Sequence, residues 1–250
     1  MQKMRFIDTG FNTPSMNMAI DEALLSSKEP VLRFYRWKPA GLSIGYFQSV
    51  KTINLDNLKK HNIQLVRRLT GGNAVLHDQE LTYSFIIDED KMPSSVIESY
   101  KIISQGLLDG LKILGLSPIM NETVEKKEKS PVCFEEPSWY EILVNKKKIV
   151  GSAQKRTKGK VLQHGSILLK LDIERYASLF NHKLDIERLK NRIISLNDLA
   201  EIDYNKLSAA IKQGFSKHYS LKESGLSHIE IDIARSLDQK YLSDEWNFTV

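Results

Sequence analysis

The chain contains a single cysteine, Cys133, within the segment SPVCFEEPSWYE at residues 130–141. A cysteine can supply a strongly nucleophilic thiolate, but a lone cysteine is more often a small buried residue whose reactivity is never used. Exposure and thiol pKa separate the two cases, and this segment alone reveals neither. Cys133 is therefore a candidate nucleophile whose role depends on the residues that the fold places beside it.

A second candidate site is the segment RRLTGGNAVLHDQELTY at residues 67–83, which lies between two predicted strands. Gly71 and Gly72 let the main chain approach a ligand closely and turn amide groups toward an oxygen atom. Arg67 and Arg68 occupy successive strand positions, so at most one of them faces a given pocket. The alternative is an ordinary glycine turn between strands. The segment is not a nucleotide P-loop, because the Gly-Lys-Ser/Thr ending is absent.

A third candidate site is the segment KKKIVGSAQKR at residues 146–156. Lys148 begins a predicted strand that runs into three small residues, Gly151, Ser152 and Ala153. Small residues in a strand permit the close approach of a ligand to the main chain. The segment therefore places a cation at the start of a strand that can form part of a pocket wall.

Two histidines accompany these segments. His77 and Asp78 follow the glycine loop, and their alternative role is an ordinary surface pair. Gln163, His164 and Gly165 interrupt an apolar strand, which indicates a pocket wall because a buried polar group needs a partner. The alternative for His164 is a hydrogen-bonded core histidine. Either histidine could transfer protons.

Histidine and cysteine spacings typical of metal sites are absent, as is a G-x-S-x-G serine elbow.

The composition is that of a folded globular protein. The chain has 250 residues, of which 41% are hydrophobic and 27% charged, and a net charge of +5. Its basic clusters, at 124–130 and 145–150, favour a solvated loop and a turn over a nucleic-acid surface, because basic and aromatic residues are not interleaved. With one cysteine and no apolar run of membrane-spanning length, we expect a cytoplasmic protein without membrane association.

Periodicity predicts the elements that must position these residues. The predicted helices cover residues 14–27, 54–61, 95–114, 172–180, 204–219 and 227–242. The predicted strands cover residues 31–36, 42–47, 63–68, 81–88, 139–144, 148–153 and 161–169, with the first two joined by the turn WKPAG. Hairpin-paired strands with interspersed helices predict an α+β fold. We expect a single catalytic domain over 1–250, with a core of about 1–180 and a helical C-terminal part, 181–250.

Taken together, the three segments and the ending KYLSDEWN at 240–247 resemble the lipoate–protein ligase and octanoyltransferase superfamily, and most of all its cysteine-dependent octanoyltransferases. The resemblance spans nearly the whole chain. It implies a biotin/lipoate ligase-like fold, related to class II synthetases, with a mixed, mainly antiparallel sheet flanked by helices. It also implies transfer of an octanoyl group from acyl carrier protein to a lysine of a lipoyl domain, such as the glycine cleavage H protein or the E2 subunit of a 2-oxoacid dehydrogenase.

By this resemblance, Cys133 is the nucleophile and Lys148 is the catalytic lysine. Asn73 stands where many members have a third glycine, and its side chain argues against a nucleotide phosphate lying on this loop. We expect substrate to be bound by Arg67, Arg68, Thr70, Gly71, Gly72, Asn73, His77, Gly151, Ser152, Ala153, His164 and Gly165.

The chemistry requires no cofactor, because an acyl group on a carrier protein is already an activated thioester. A cysteine thiolate exchanges with it at little cost, and Lys148 can stabilise the carbonyl oxyanion. We expect no ATP, no metal and no nucleic-acid partner, and a monomer. The alternatives are an ATP-dependent lipoate–protein ligase, in which Cys133 has no role, and a non-enzymatic module that binds carrier or lipoyl domains without turnover.

Overall fold

The computed structural model describes residues 1–121 and 141–249, which form two β-sheets surrounded by helices. The described strands are β1 (Gln2–Asn12), β2 (Val31–Trp37), β3 (Gly41–Ile44), β4 (Gln64–Arg67), β5 (Val75–His77), β6 (Glu80–Asp88), β7 (Ile119–Met120), β8 (Ile142–Val144), β9 (Lys147–Thr157), β10 (Lys160–Leu168) and β11 (Tyr219–Glu223). The described α-helices are α1 (Pro14–Ala23), α2 (Leu55–Lys60), α3 (Val96–Ile113), α4 (Ile173–Ser178), α5 (Ile186–Arg192), α6 (Tyr204–Ser216), α7 (His228–Leu242) and α8 (Asp244–Phe248).

The larger sheet has the strand order β11-β1-β2-β6-β10-β9-β8-β7, and the smaller has the order β4-β3-β5. β1 pairs in parallel with β2 and β11, and β3 pairs in parallel with β4. The remaining strand pairs are antiparallel. The predicted α+β class with a mixed, mainly antiparallel sheet is therefore confirmed.

Local sequence signals explain the elements nearest the site. Helix α3 begins after Ser95, whose side chain accepts a hydrogen bond from the amide of Glu98, and the chain leaves the helix at Gly115 with φ +82°. The turn between β8 and β9 places Asn145 and Lys146 at φ 51° and 62°, the pair of left-handed residues that tight hairpins use. Both features agree with the prediction.

Strand β6 shows how alternation divides the core. Its residues Leu81, Tyr83, Phe85 and Ile87 belong to one hydrophobic cluster, which α3 and α6 cover on that face of the sheet. The intervening residues of β6 point to the opposite face and include buried polar side chains, which the functional site uses. The predicted strand 81–88 is thus confirmed, and its second face carries chemistry.

Several aspects of the prediction are wrong. β2 and β3 are not paired with each other, because β2 lies between β1 and β6 in the larger sheet whereas β3 is central in the smaller one. The prediction omits the strands β1, β5 and β7 and the helices α5 and α8. The predicted helix over 204–219 ends at Ser216, and β11 then pairs with β1, so the C-terminal part supplies an edge strand as well as helices. These pairings join residues far apart in sequence, which local periodicity cannot detect.

Candidate functional site

A cavity of about 410 Å³ is lined by strands of both sheets. This volume falls within the range of about 300–1,000 Å³ that small-molecule sites occupy. Large apolar and aromatic side chains form much of its wall: Met18, Tyr35, Trp37, Val75, Val96 and Tyr100. Most of the predicted substrate residues also line it, namely Arg68, Gly71, Gly72, Asn73, His77, Gly151, Ser152, Ala153, His164 and Gly165. The structure therefore brings the segments at 67–83 and 146–156, together with His164 and Gly165, to one cavity.

The glycine loop owes its position to a close main-chain contact. Gly72 has φ +91°, a conformation that residues with a side chain rarely adopt. It packs against Gly45 so tightly that a Cβ atom on Gly45 would lie 1.8 Å from the Gly72 carbonyl oxygen. The amide of Tyr46 donates to the carbonyl of Thr70 at 2.8 Å. The segment after β3 therefore forms the platform for the loop.

Arg68 holds the loop from the cavity side. Its Nη2 donates to the carbonyl oxygens of Gly71 (2.8 Å) and Asn73 (2.9 Å), and its Nη1 donates to the carbonyl of Ser43 (3.0 Å). Its Nε donates to Thr70 Oγ1 at 3.2 Å. The planar guanidinium thus shapes the loop by several directed bonds, which a lysine cannot reproduce.

Arg67 points away from this cavity, as strand alternation requires for one of the two arginines. Its guanidinium donates to main-chain carbonyls of two segments, the loop after β3 (Gly45, 2.9 Å) and helix α8 (Asn247, 2.8 Å). It lines a separate groove with Tyr46 and Trp246. Arg67 therefore fastens the C-terminal helix to the platform of the glycine loop.

His164 joins the cavity to a buried ion pair. Its Nε2 lies 2.7 Å from Thr70 Oγ1, and its Nδ1 lies 3.1 Å from Asp21 Oδ2. Burial lowers the pKa of His164, although Asp21 opposes this effect, so the ring is neutral at pH 7. Since a carboxylate only accepts hydrogen bonds, Nδ1 carries the proton and Nε2 accepts from Thr70.

Asp21 is the acidic centre of this network and is 1% exposed. Burial acts to raise the pKa of Asp21, but the Arg33 cation and hydrogen bonds from His164 and Ser84 outweigh it, so the pKa lies below its usual value. The ion pair to Arg33 measures 2.6 Å, and Tyr35 donates a further hydrogen bond of 2.9 Å. Asp21 therefore stays ionised and holds His164 in one orientation.

His77 is fixed in a similar way at another part of the wall. Its Nδ1 lies 2.7 Å from Glu80 Oε1 and its Nε2 lies 2.8 Å from Ser43 Oγ, while its ring stacks on Trp37 at 4.0 Å. Thr82 and the nearby Ser166 also donate to the buried Glu80 carboxylate. Both ring nitrogens of His77 are thus occupied by protein groups, as are those of His164.

The small residues of β9 and β10 bring two strands together beside the cavity. A Cβ atom on Gly165 would lie 2.4 Å from Ser152 Oγ and 2.6 Å from the Gly151 carbonyl oxygen. Ser152 Oγ lies 2.8 Å from the Tyr83 hydroxyl, which also accepts a bond from Gln163. Burial raises the pKa of Tyr83 above its usual value, so this hydroxyl remains protonated.

Of the two predicted catalytic residues, the structure describes only Lys148. Cys133 lies outside the described residues. Lys148 is 3% exposed and forms an ion pair of 2.5 Å with Glu141, although it is not among the described residues that line the cavity. It lies on the same strand as Gly151 and Ser152, which do line it. The described ranges contain no cluster of three or more His, Cys, Asp or Glu side chains arranged to hold a metal ion.

Sequence reasoning missed several of the residues that support the cavity: Asp21, Arg33, Ser43, Gly45, Glu80 and Glu141. One signal was available for Asp21, because it and Asn17 are spaced four residues apart in a helix whose other residues are mostly apolar. The rest depend on contacts between distant segments.

In the described part of the chain, none of the helices has the length and apolar character that crossing a membrane requires.

Solved structures define the class of fold. A crystal structure of lipoate-protein ligase A bound with ATP matches with a TM-score of 0.83 and 28% identity, over 99% of this chain and 98% of that one. A bipartite lipoate protein ligase from Thermoplasma acidophilum, described together with its E2 lipoyl domain, matches with a TM-score of 0.83 and 26% identity, over 99% and 96% of the two chains. The two-sheet fold is therefore that of the lipoate ligases.

The family follows from the sequence comparison. The profile of the lipoyl protein ligase A/B catalytic domain matches residues 13–216, and the chain belongs to this family. Octanoyltransferase LipM of Bacillus subtilis (strain 168) is 45% identical, over 99% of both chains. Octanoyltransferase LipM of Staphylococcus aureus (strain NCTC 8325 / PS 47) is 44% identical, over 97% of both chains. The predicted relationship to lipoate ligases and octanoyltransferases is confirmed.

Proposed function

We propose that this protein is an octanoyltransferase of lipoate biosynthesis, which moves an octanoyl group from acyl carrier protein to a lysine of a lipoyl domain. The observation that carries the proposal is the identity of 45% to Octanoyltransferase LipM of Bacillus subtilis over 99% of both chains. The cavity supports it, because side chains such as Met18, Trp37 and Val75 present the apolar surface that an alkyl chain requires.

The reaction needs no external energy source. Cys133 loses its proton, and its thiolate attacks the thioester carbonyl of the octanoyl donor. A C–S bond to Cys133 forms, the C–S bond to pantetheine breaks, and the departing pantetheine thiolate takes up that proton. The acceptor lysine then attacks the octanoyl–cysteine thioester as a free amine, and the cysteine is released as the amide forms. The first exchange is nearly isoenergetic and the second is downhill, so we propose that the protein uses neither ATP nor another cofactor.

Lys148 is the proposed oxyanion-stabilising group. One donor of this kind contributes about 3–4 kcal/mol to transition-state stabilisation. The histidines fit a proton-transfer role poorly, because both ring nitrogens of His77 and His164 are engaged by protein partners. We assign them to shaping the cavity wall. This leaves Cys133 and Lys148 as the proposed catalytic residues.

The proposed partners are an octanoyl-acyl carrier protein as donor and a lipoyl domain as acceptor. The acceptor has the better support, since the Thermoplasma acidophilum neighbour is described together with its E2 lipoyl domain. The glycine cleavage H protein is an acceptor of the same class. A cytoplasmic location and a monomeric state are further parts of the proposal.

The second candidate is an ATP-dependent lipoate–protein ligase, which one structural neighbour bound with ATP favours. Against it stands Asn73, which occupies the place of a third glycine in a loop whose carbonyls are already held by Arg68. A nucleotide phosphate there would have to share the space with the asparagine side chain. The ligase reading also gives Cys133 no task.

A reconstitution distinguishes the two activities. The purified protein is mixed with octanoyl-acyl carrier protein and an unmodified lipoyl domain, and octanoyl-lysine is measured by mass spectrometry with and without ATP. We expect modification without ATP and its loss in Cys133→Ser, because a serine hydroxyl is barely ionised without a dedicated base. Modification that requires ATP and free acid, and that survives Cys133→Ser, would establish the ligase instead.

A further inference from the structure

A buried ion pair joins Glu141 to Lys148, the proposed catalytic lysine. Glu141 immediately precedes β8, and Lys148 lies on the neighbouring strand β9. The carboxylate Oε1 and the ammonium Nζ are 2.5 Å apart, and their side chains are 6% and 4% exposed. The pair is thus almost fully removed from solvent.

The main chain fixes both residues. The carbonyl of Glu141 accepts a hydrogen bond of 2.8 Å from the amide of Asn121. The carbonyl of Lys148 accepts one of 3.0 Å from the amide of Ile194, and Lys148 forms a parallel β-bridge with Ile193. The backbone of both residues is therefore fixed by hydrogen bonds, and the Glu141 carboxylate helps to set the direction of the Lys148 ammonium.

Stability alone does not account for this pair. Its strands also carry the fully or nearly fully buried apolar residues Ile142, Val144, Ile149 and Val150. A buried ion pair in such surroundings is commonly no more stable than well-packed apolar residues of similar volume. A carboxylate kept beside the proposed catalytic lysine therefore indicates a task in the reaction.

Among the described residues, the elements that carry or pair with Lys148 also bear other charged side chains. Lys147 on the same strand donates to the carbonyl of Lys190 on α5, and Arg192 ends that helix. Asp198, on the segment after Ile194, is engaged by the amide and hydroxyl of Ser195. Lys148 contacts the opposite charge of the Glu141 carboxylate, and a carboxylate at this distance favours the ammonium form.

We infer that Glu141 is a positioning residue that keeps Lys148 protonated and aims its ammonium while the acyl carbonyl becomes an oxyanion. The inference rests on the proposed function. As the Cys133–carbon bond forms, the carbonyl electron pair moves to oxygen, which accepts a hydrogen bond from the Lys148 ammonium. The electron pair on the oxygen re-forms the carbonyl double bond when the pantetheine thiolate leaves, and this thiolate takes the proton that came from Cys133. Lys148 ends in the protonation state in which it began, and Glu141 never touches the substrate.

The test is the pH profile of octanoyl-enzyme formation, measured by rapid quench and intact mass between pH 6 and 10 in the assay buffer. In Glu141→Gln the buried ammonium loses its carboxylate, so the alkaline fall in rate should begin at least one pH unit lower, with a loss of at least about tenfold at pH 8. Glu141→Asp should recover part of the rate. Glu187→Gln is the matched control, because Glu187 forms an exposed ion pair with Lys190 on α5.

A double variant keeps the test decisive if Glu141→Gln folds poorly. Glu141→Gln combined with Lys148→Met leaves no buried charge in the pair, and it should be no slower than Lys148→Met alone. An unchanged alkaline limb in Glu141→Gln, or a further loss of rate in the double variant, would overturn the positioning role. Failure of the wild-type protein to form any octanoyl-enzyme would instead contradict the proposed function.

Discussion

Replacing Gly45 by alanine should damage both the fold and the reaction, although Gly45 does not line the cavity. A Cβ atom at this position would lie 1.8 Å from the Gly72 carbonyl oxygen and 2.9 Å from its carbon. Such contacts essentially never fall below 3.0 Å, so the two main-chain segments must separate by at least 1.2 Å. Arg68 and the Tyr46–Thr70 hydrogen bond resist this movement.

The size of the effect follows from this geometry. Overpacking usually costs about 1–3 kcal/mol, and a clash between two main-chain segments belongs at the upper end. For a chain of this size, about 3 kcal/mol corresponds to a fall in Tm of about 6–12 °C. Because Gly72 lines the cavity, a shift of about 1 Å also misplaces the substrate, which can slow transfer about a hundredfold.

The assay combines thermal unfolding with the rate of octanoyl transfer at 25 °C, where the variant remains folded. Gly225→Ala is the control for stability, and Gly71→Ala is the control within the loop, because a Cβ atom at either position meets nothing within 4 Å and neither has positive φ. Both should keep their Tm within about 2 °C of wild type. A Gly45→Ala protein with the same Tm and transfer rate as Gly225→Ala would refute the proposed support of the glycine loop.

Three further predictions concern the polar network around the cavity. Arg68→Lys should slow transfer about tenfold or more, because a single ammonium cannot reproduce the bonds to the glycine loop. An unchanged kcat/KM would contradict this role. Asp21→Asn should lower the free energy of unfolding, measured by urea denaturation, by about 3 kcal/mol, because it leaves the buried Arg33 cation without its carboxylate. A change below about 1 kcal/mol would show that the ion pair is dispensable. The free energy of unfolding should fall as the pH drops below about 6.5, because the unfolded chain then protonates His164 and the folded chain does not. It should fall again below about 3.8, because the unfolded chain then protonates Asp21 while the folded carboxylate stays ionised until a lower pH. The slope of stability between pH 6.5 and 5 should be shallower in His164→Gln, and an equal slope would argue that His164 is not buried in its neutral form.

Much of the secondary structure was predictable because its signals are local. Ser95 and Glu98 mark the start of α3, and Asn145 with Lys146 marks the turn between β8 and β9. The alternation around Tyr83 identified β6. The separation of β2 from β3 was not predictable, because it depends on which distant strands they pair with rather than on the turn between them.

In the candidate site, too, local features were predictable from the sequence, whereas contacts between distant segments were not. Strand alternation predicted that at most one of Arg67 and Arg68 would face the cavity, and only the fold shows that Arg68 does. Gly45 gave no signal, since its importance arises from a contact with Gly72, far along the chain. Lys148 was expected from the resemblance, whereas its ion pair with Glu141 required the register of β8 against β9.

The most direct test of the central claim is the intact mass of the protein after mixing with octanoyl-acyl carrier protein alone, without ATP and without an acceptor. We expect the mass to increase by one octanoyl group, the adduct to be released by hydroxylamine as a thioester is, and peptide mapping to place it on Cys133. The Cys133→Ser protein should remain unmodified. Absence of the adduct from wild-type protein that nevertheless modifies a lipoyl domain, or an adduct on any residue other than Cys133, would contradict transfer through a cysteine thioester.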